Sequence, residues 1–529
     1  MMLVIQNLTY IHPDRELLFK NINLTVNRRD KIALIGNNGT GKSTLLKIIA
    51  GILTPSSGHV YTDGTFYYVP QIFGQYNHLT VAQALQAEDK LQALHKILAG
   101  NLTDACIAKL EDDWTVEERC IEALKYWKLE DVSLSQKMET LSGGQKTKVF
   151  LAGISIHQPE LVLLDEPSNH LDTSSRQALY DFIRSTSVTL LAVSHDRKLL
   201  NLLNSICELS KDGITVYGGN YDFYEEQKII ENQALHQSVK TKEKELQKAQ
   251  EKERETLERQ QKRNARGSNW QQKKGMPKAM MNKMKNDAEK SLSRLKDVHI
   301  EKINTLAQTL NELKKELPDI DRIKLNFDDS APHRGKILVC ANSINFGYGK
   351  QLLWHKALNF HLTGGERIAL KGLNGAGKTT LIKIILGKLK PISGKISVNI
   401  SQSIYIDQDY SLINNLLTVY EQARQFNFTA LQEHEIKIRL NRFLFAKEDW
   451  SKSCSVLSGG EKMRLMLCCL TLSNCPPDII VLDEPTNNLD IRNMEILINA
   501  INKYRGAIVA VSHDEYFLKK INIDREIYL

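Results

Sequence analysis

Lys31–Gly51 reads KIALIGNNGTGKSTLLKIIAG, and Arg367–Gly387 reads RIALKGLNGAGKTTLIKIILG. Each stretch opens with a short apolar run suited to a buried strand, passes through G-x-x-x-x-G-K-[ST], and continues into strong helix formers. Lys42 and Lys378 occupy the same place, 378 − 42 = 336 residues apart. A repeat at that distance is a duplicated domain and not a solenoid unit. Both copies alternate apolar strands with amphipathic helices, which predicts an α/β fold with a parallel sheet in each half.

The loop between strand and helix carries chemistry. A phosphate chain needs a ring of backbone N–H donors, and glycine lets the chain curl so that successive amides point inward at a helix N-terminus. The first loop is Gly36, Asn37, Asn38, Gly39, Thr40, Gly41, Lys42, Ser43 and Thr44; the second is Gly372, Leu373, Asn374, Gly375, Ala376, Gly377, Lys378, Thr379 and Thr380. Lys42 and Lys378 are expected on the β- and γ-phosphates, and the hydroxyls of Ser43 and Thr379 on Mg²⁺.

Further along each copy an apolar strand ends in two acids, LVLLDEP at Leu161–Pro167 and IIVLDEP at Ile479–Pro485. Such a strand delivers Asp165 and Asp483 toward the metal, and places Glu166 and Glu484 to polarise the attacking water. His195 and His513 each follow their aspartate by the same interval, since 195 − 165 and 513 − 483 both equal 30. The register of the repeat also locates an insertion. Gln71 pairs with Gln408 at an offset of 337, but Leu141 pairs with Leu457 at 316, so the first copy holds about twenty extra residues between Gln71 and Leu141.

Composition sets the outer limits. A chain of 529 residues is long enough for three or four units, and 42% apolar with 25% charged residues is ordinary for a globular protein. The eight cysteines form no CxxC pair or zinc-like spacing, which points to reduced thiols and a cytoplasmic chain. The N-terminus lacks an export signal, and no window is apolar for the roughly 18 to 20 residues of a membrane span. The net charge of +8 is concentrated: Ser238–Ile300 holds 18 basic and nine acidic residues, a local excess of +9. Within it, Arg259–Asn286 contains nine Lys or Arg, no acid, four Met and Trp270.

In order, and twice, the chain presents a Walker A loop, a Q-loop glutamine, an LSGGQ or LSGGE signature, a Walker B DE pair and a switch histidine in VSHD. This resembles the ATP-binding cassette (ABC) ATPases over nearly all of both halves. The resemblance implies head-to-tail pairing of the cassettes, with each ATP held between one loop and the other cassette's signature. Site one then takes Gly36–Thr44 with Ser458, Gly459, Gly460 and Glu461; site two takes Gly372–Thr380 with Ser142, Gly143, Gly144 and Gln145. Gln71 and Gln408 join Ser43 and Thr379 at the metal, His195 and His513 sense the γ-phosphate, and adenine stacks on Tyr10 or His12 in the first copy and on Tyr348 in the second. Both copies keep every catalytic residue type, so two hydrolytic sites are expected.

EPSNHLD at Glu166–Asp172, EPTNNLD at Glu484–Asp490 and YGGNYDFY at Tyr217–Tyr224 are similar to stretches of the ABC-F class. Membership implies a tandem ATPase that is not a transporter, binding the ribosome at the tRNA exit site and extending its interdomain linker toward the P-site tRNA and the peptidyl-transferase centre. The domains expected are a cassette at 1–221, a basic linker at 222–335 and a second cassette at 336–529, acting as a monomer with an intramolecular cassette dimer.

The linker can also be read directly. From about Asp222 to Leu317 helix formers dominate, and breakers cluster at Gly267, Gly275 and Pro277. Leu292, Leu295, His299, Ile303, Leu306, Leu310 and Leu313 recur every three or four residues up to Pro318. Two antiparallel helices of roughly 35 to 40 residues would reach about 50 to 60 Å and hold the acid-free stretch at their far end. There Arg263, Arg266, Lys273, Lys274 and Lys278 are the candidate RNA contacts, beside Trp270, Met276, Met280, Met281 and Met284.

Three functions compete at this stage. The first is an ATP-driven ribosome factor, either a regulator of translation or a protein protecting ribosomes from antibiotics; the long linker and short insertion lean toward the second. Another is the ATPase subunit of a membrane importer, against which the long basic linker argues. A DNA-maintenance ATPase fits least, because there a coiled coil interrupts one cassette, whereas here it joins two.

Overall fold

The computed structural model describes all residues except 14, 16, 72–73, 102, 274–277, 317–334, 349–350, 374, 409, 429, 473–476 and 488, and omits the side chains of most residues between 260 and 296. Asn374, Lys274, Gly275, Met276, Pro277, Pro318 and Cys475 therefore lie outside the described residues. The chain divides into two compact units, one made of Met1–Asp222 with Arg322–Leu529 and the other of Phe223–Asp321.

The first unit holds both cassettes. In the first cassette a sheet runs in the spatial order Phe66–Val69, Leu161–Asp165, Thr189–Val193, Lys31–Ile35, Ser205–Ser210, Gly213–Gly218, and all neighbours are parallel except the last pair. The second cassette repeats this with five parallel strands: Ser403–Ile406, Ile479–Asp483, Ala507–Val511, Arg367–Lys371 and Arg525–Tyr528. The central strands are apolar runs because helices and a second sheet cover both faces; every residue of Leu161–Asp165, Thr189–Val193 and Ala507–Val511 is buried. Burying a Val, Leu or Ile side chain contributes roughly 1.5 to 3 kcal/mol, so these strands anchor the acids at their ends firmly. An antiparallel three-stranded sheet flanks each core, built of Leu3–Ile11, Leu17–Val26 and Ser57–Thr62 in the first cassette.

The extra residues of the first copy have a definite place. The helix Val81–Ala84 opens on a Thr80 capping box, as Val419–Gln425 opens on Thr418, and 418 − 80 = 338. By the helices Val116–Tyr126 and Glu433–Arg442 the offset has dropped to 433 − 116 = 317. The insertion is thus the pair of helices Glu88–Leu98 and Asp104–Leu110, fastened through buried Leu91, Leu94 and Leu110.

The second unit is built from two long helices, Tyr221–Lys273, of which the first two residues count with the first unit, and Lys278–Glu316. At 53 and 39 residues they exceed or match the expected limbs, and the first extends about 80 Å. Gly267 does not end the first helix: its cost of about 1 kcal/mol is small against the helix formers around it. Lys314 pairs with Glu243 at 2.7 Å, and (243 + 314)/2 = 278.5, the signature of an antiparallel pair turning at the junction of the helices. Within Phe223–Asp321, Val239 and Leu310 are the buried apolar residues among those described. Arg263, Arg266 and Lys273 lie near the end of the outgoing helix and Lys278 opens the return helix, with Arg266 exposed.

Candidate active sites

Each phosphate loop ends in a left-handed glycine, Gly41 at φ 94° and Gly377 at φ 91°, directly before the helices Lys42–Ile49 and Lys378–Ile385. A Cβ on Gly41 would come within 2.6 Å of the end of the Leu18 side chain, and one on Gly377 within 2.3 Å of Leu353, but it is the left-handed backbone that demands glycine at both. The lysine amines fold back onto loop carbonyls: Lys42 Nζ donates to Gly36 and Asn37 at 2.7 and 3.1 Å, and Lys378 Nζ to Gly372 and Leu373 at 2.8 and 3.3 Å. Thr40 Oγ1 braces the first loop on Asn37 O, and the Trp354 indole donates to Ala376 O in the second.

The first hydroxyl of each helix meets the acid that ends the neighbouring strand. Ser43 Oγ donates to Asp165 at 3.0 Å and Thr379 Oγ1 to Asp483 at 3.4 Å. A phenol completes each pair, Tyr68 donating to Asp165 at 3.2 Å and Tyr405 to Asp483 at 2.8 Å. Reasoning from sequence missed these tyrosines, although each stands three residues before the Q-loop glutamine, Gln71 or Gln408.

The following glutamates are strained, and Glu166 is buried. Glu166 has φ 51° and Glu484 φ 50°, left-handed positions that cost a side-chain-bearing residue on the order of 1 kcal/mol. Each carboxylate accepts from the backbone of its switch histidine, His195 N at 3.3 Å and His513 N at 3.4 Å, and the histidine Nε2 stands 3.3 or 3.5 Å from the other oxygen. That oxygen, Oε1 of both glutamates, is buried without a hydrogen-bond partner, as is His195 Nδ1. Burial pushes Glu166 up to about 8 against the pull of Lys42, and Glu484 up to about 7 against the pull of Arg176. Burial drives His195 well below its ordinary 6.5 and His513 down to about 4. The close His–Glu approach is therefore no ion pair, because the imidazoles are neutral. A neutral imidazole beside an unsatisfied carboxyl oxygen is suited to receive a water and a phosphate oxygen.

The cassettes close on one another. A cavity of about 730 Å³ is lined by Ser142, Gly143, Gly144 and His170 of the first cassette and by Gly375, Gly377, Lys378, Thr379, Thr380, Tyr348, Gln408, Asp483, Glu484 and His513 of the second. Gln408 Nε2 lies 3.4 Å from His170 Nδ1, and Tyr348 OH 3.2 Å from Thr380 Oγ1. On the other side, Asn38 N donates to Asp490 of the second cassette at 2.8 Å. Both signatures are capping boxes: Ser142 and Gln145 exchange bonds at the start of Gly143–His157, and Ser458 and Glu461 do so at the start of Gly459–Leu472. Gly39, Thr44, Gln71, Gly459 and Gly460 sit in the expected loops and helix starts, while Tyr10 stands edge-on to His12 at 5.5 Å. Among the described residues no helix is long and apolar enough to cross a membrane.

Comparison with known proteins agrees with this architecture. The ABC transporter family model matches residues 19–169 and 355–487. "Putative ATP-binding protein YdiF" of Bacillus subtilis is 32% identical over 541 residues, spanning 95% of this chain and 76% of that one. "ABC transporter F family member 5" of Arabidopsis thaliana is 29% identical, spanning 95% of this chain and 72% of its own. Among solved structures, an archaeal ribosome recycling factor, aABCE1, crystallised with the ribosomal stalk protein aP1, superposes with a TM-score of 0.61 over 99% of this chain and 87% of that one; at 20% identity the likeness is one of fold. The chain belongs to the ABC family of ATP-hydrolysing proteins, and within it to the F class of tandem cassettes.

Proposed function

We propose that this chain is a translation factor whose two cassettes close on two ATP molecules, and whose basic helical linker then engages ribosomal RNA beside the P-site tRNA. The observation that carries the ATP half is the composite cavity, in which the first cassette's signature faces the second cassette's phosphate loop. Ser43 with Asp165, and Thr379 with Asp483, would hold Mg²⁺, together with Gln71 and Gln408; the ion would neutralise phosphate charge. Glu166 and Glu484 orient the water, and His195 and His513 meet the γ-phosphate. The signature amides of Ser142–Gln145 and Ser458–Glu461 lie at helix starts, where phosphate oxygens are favoured.

The RNA half rests on charge and placement. Arg263, Arg266 and Lys273 lie toward the end of one long helix and Lys278 opens the next, and with Lys274 they belong to a stretch of sequence without acids. Cations so grouped displace counterions from a phosphate backbone. The aABCE1 structure, which shares this fold, comes from a protein described as an archaeal ribosome recycling factor and was solved with a ribosomal stalk protein. The small insertion, two helices of 11 and seven residues, favours ribosome protection from antibiotics over housekeeping.

The test replaces Glu166 and Glu484 by Gln and sediments the protein with ribosomes and ATP. Trapping of the doubly substituted chain on ribosomes is expected. Failure to pellet with them, while ATP is still bound, would overturn the ribosomal reading.

A further inference from the structure

The two switch histidines are held differently. His513, in the second cassette, is gripped from the first: Arg176 Nη1 donates to the His513 carbonyl at 3.3 Å, and Thr173 Oγ1 lies 3.3 Å from its Nδ1. Arg176 is itself fixed, its Nε donating to Leu171 O at 3.2 Å, and Thr173 opens the helix Thr173–Ser185 capped by Asp172. The equivalent residues of the second cassette, 318 positions on, are Ile491 and Met494. Neither side chain has an N–H or O–H to offer, and Met494 is 2% exposed. Across the dimer from them His195 keeps a buried Nδ1 without a hydrogen-bond partner. The duplication that preserved every loop motif has thus been broken at the two places that touch the opposite switch.

We propose that Thr173 and Arg176 are positioning residues acting in trans on His513, and that they make the site at Gly372–Thr380 the faster of the two ATP sites. The site at Gly36–Thr44, whose switch histidine is held through Glu166 of its own cassette and keeps an unbonded Nδ1, turns over more slowly. A histidine fixed on both backbone and ring presents its Nε2 to the phosphate without a search among orientations, and such preorganisation acts on the rate of the chemical step more than on nucleotide affinity. The inference rests on the reading of Glu484 and His513 as hydrolytic machinery.

Single-turnover hydrolysis by the intact chain, with protein in excess over ATP, tests it. Two phases of unequal rate are expected, and E484Q should remove the fast one. T173I/R176M, which copies the second cassette's residues into the first, should slow the fast phase by about tenfold while the Kd for a fluorescent ATP analogue changes by less than about twofold. I491T/M494R, the reciprocal change, should accelerate the slow phase, and it decides the matter if the first pair folds poorly. A single phase in the unsubstituted protein, or equal slowing of both phases by T173I/R176M, would overturn the proposal. Retention of both phases by E484Q would instead remove the assignment of Glu484 on which it stands.

Discussion

Asp490 Oδ2 accepts the backbone N–H of Asn38 at 2.8 Å, while its Oδ1 accepts that of Asn493 at 2.7 Å. One carboxylate, 3% exposed, therefore caps the helix Ile491–Lys503 of its own cassette and reaches the phosphate loop of the other. Asp490→Ala removes an N-cap worth about 1 kcal/mol and leaves an amide of the first loop unpaired. The melting temperature should fall by roughly 2 to 4 °C. Asp490→Asn, which still caps, should recover most of that loss; equal melting of the Ala variant and the parent would contradict the double role.

Tyr68 and Tyr405 orient the carboxylates of Asp165 and Asp483. Hydrogen bonds to charged groups contribute about 1.5 to 3 kcal/mol, so Tyr68→Phe with Tyr405→Phe should raise the Mg²⁺ concentration for half-maximal ATPase by about tenfold. Titration of Mg²⁺ at saturating ATP reads this out. An unchanged Mg²⁺ requirement would mean that the phenols serve packing alone.

Buried acid and base pull stability in opposite directions with pH. Glu166 and Glu484, raised from 4.5 to about 8 and about 7, keep a proton that the unfolded chain has lost, so their contribution declines as pH rises from 4.5 through those values. His195 and His513, lowered from 6.5, contribute stability that is present above 6.5 and lost as pH falls. Below 6.5 the two effects oppose; above it the carboxylates act alone. The nucleotide-free protein should therefore melt about 2 to 4 °C lower near pH 8.5 than near pH 6.5, and E166Q/E484Q should flatten that slope. A slope that survives the double substitution would place its origin elsewhere.

The proposed RNA interface has a salt signature. Replacing Lys273, Lys274 and Lys278 by Glu should weaken ribosome binding and make it less sensitive to salt, by roughly one in the slope of log K against log salt for each phosphate left without a cation. Ribosome pelleting over a series of KCl concentrations measures this, with the isolated chain's ATPase as the control for folding. Parallel salt dependences for parent and variant would exclude these lysines from the interface.

Much of the molecule could be read from sequence because phosphate chemistry restricts residue type. Gly41 and Gly377 occupy a backbone region open to little else, and Asp165 and Asp483 end strands whose apolar runs declare them buried. Contacts across the cassettes were harder to see. Nothing local distinguishes Arg176 from any solvated helix arginine; its meaning depends on a carbonyl 337 positions away, at His513. Tyr68 and Tyr405 looked like ordinary strand aromatics, since alternation along a strand says which face a side chain takes but not which acid lies beside it. The outgoing helix ran through Gly267 because one weak residue cannot outweigh many strong neighbours.

The left-handed backbone at Glu166 and Glu484 has an evolutionary side. Glycine would relax both positions and remove a buried carboxyl as well, so each glutamate costs the fold stability. Drift toward robustness would erase these two residues early. Both copies nonetheless carry glutamate there, a cost in stability that the proposed role in orienting water would explain.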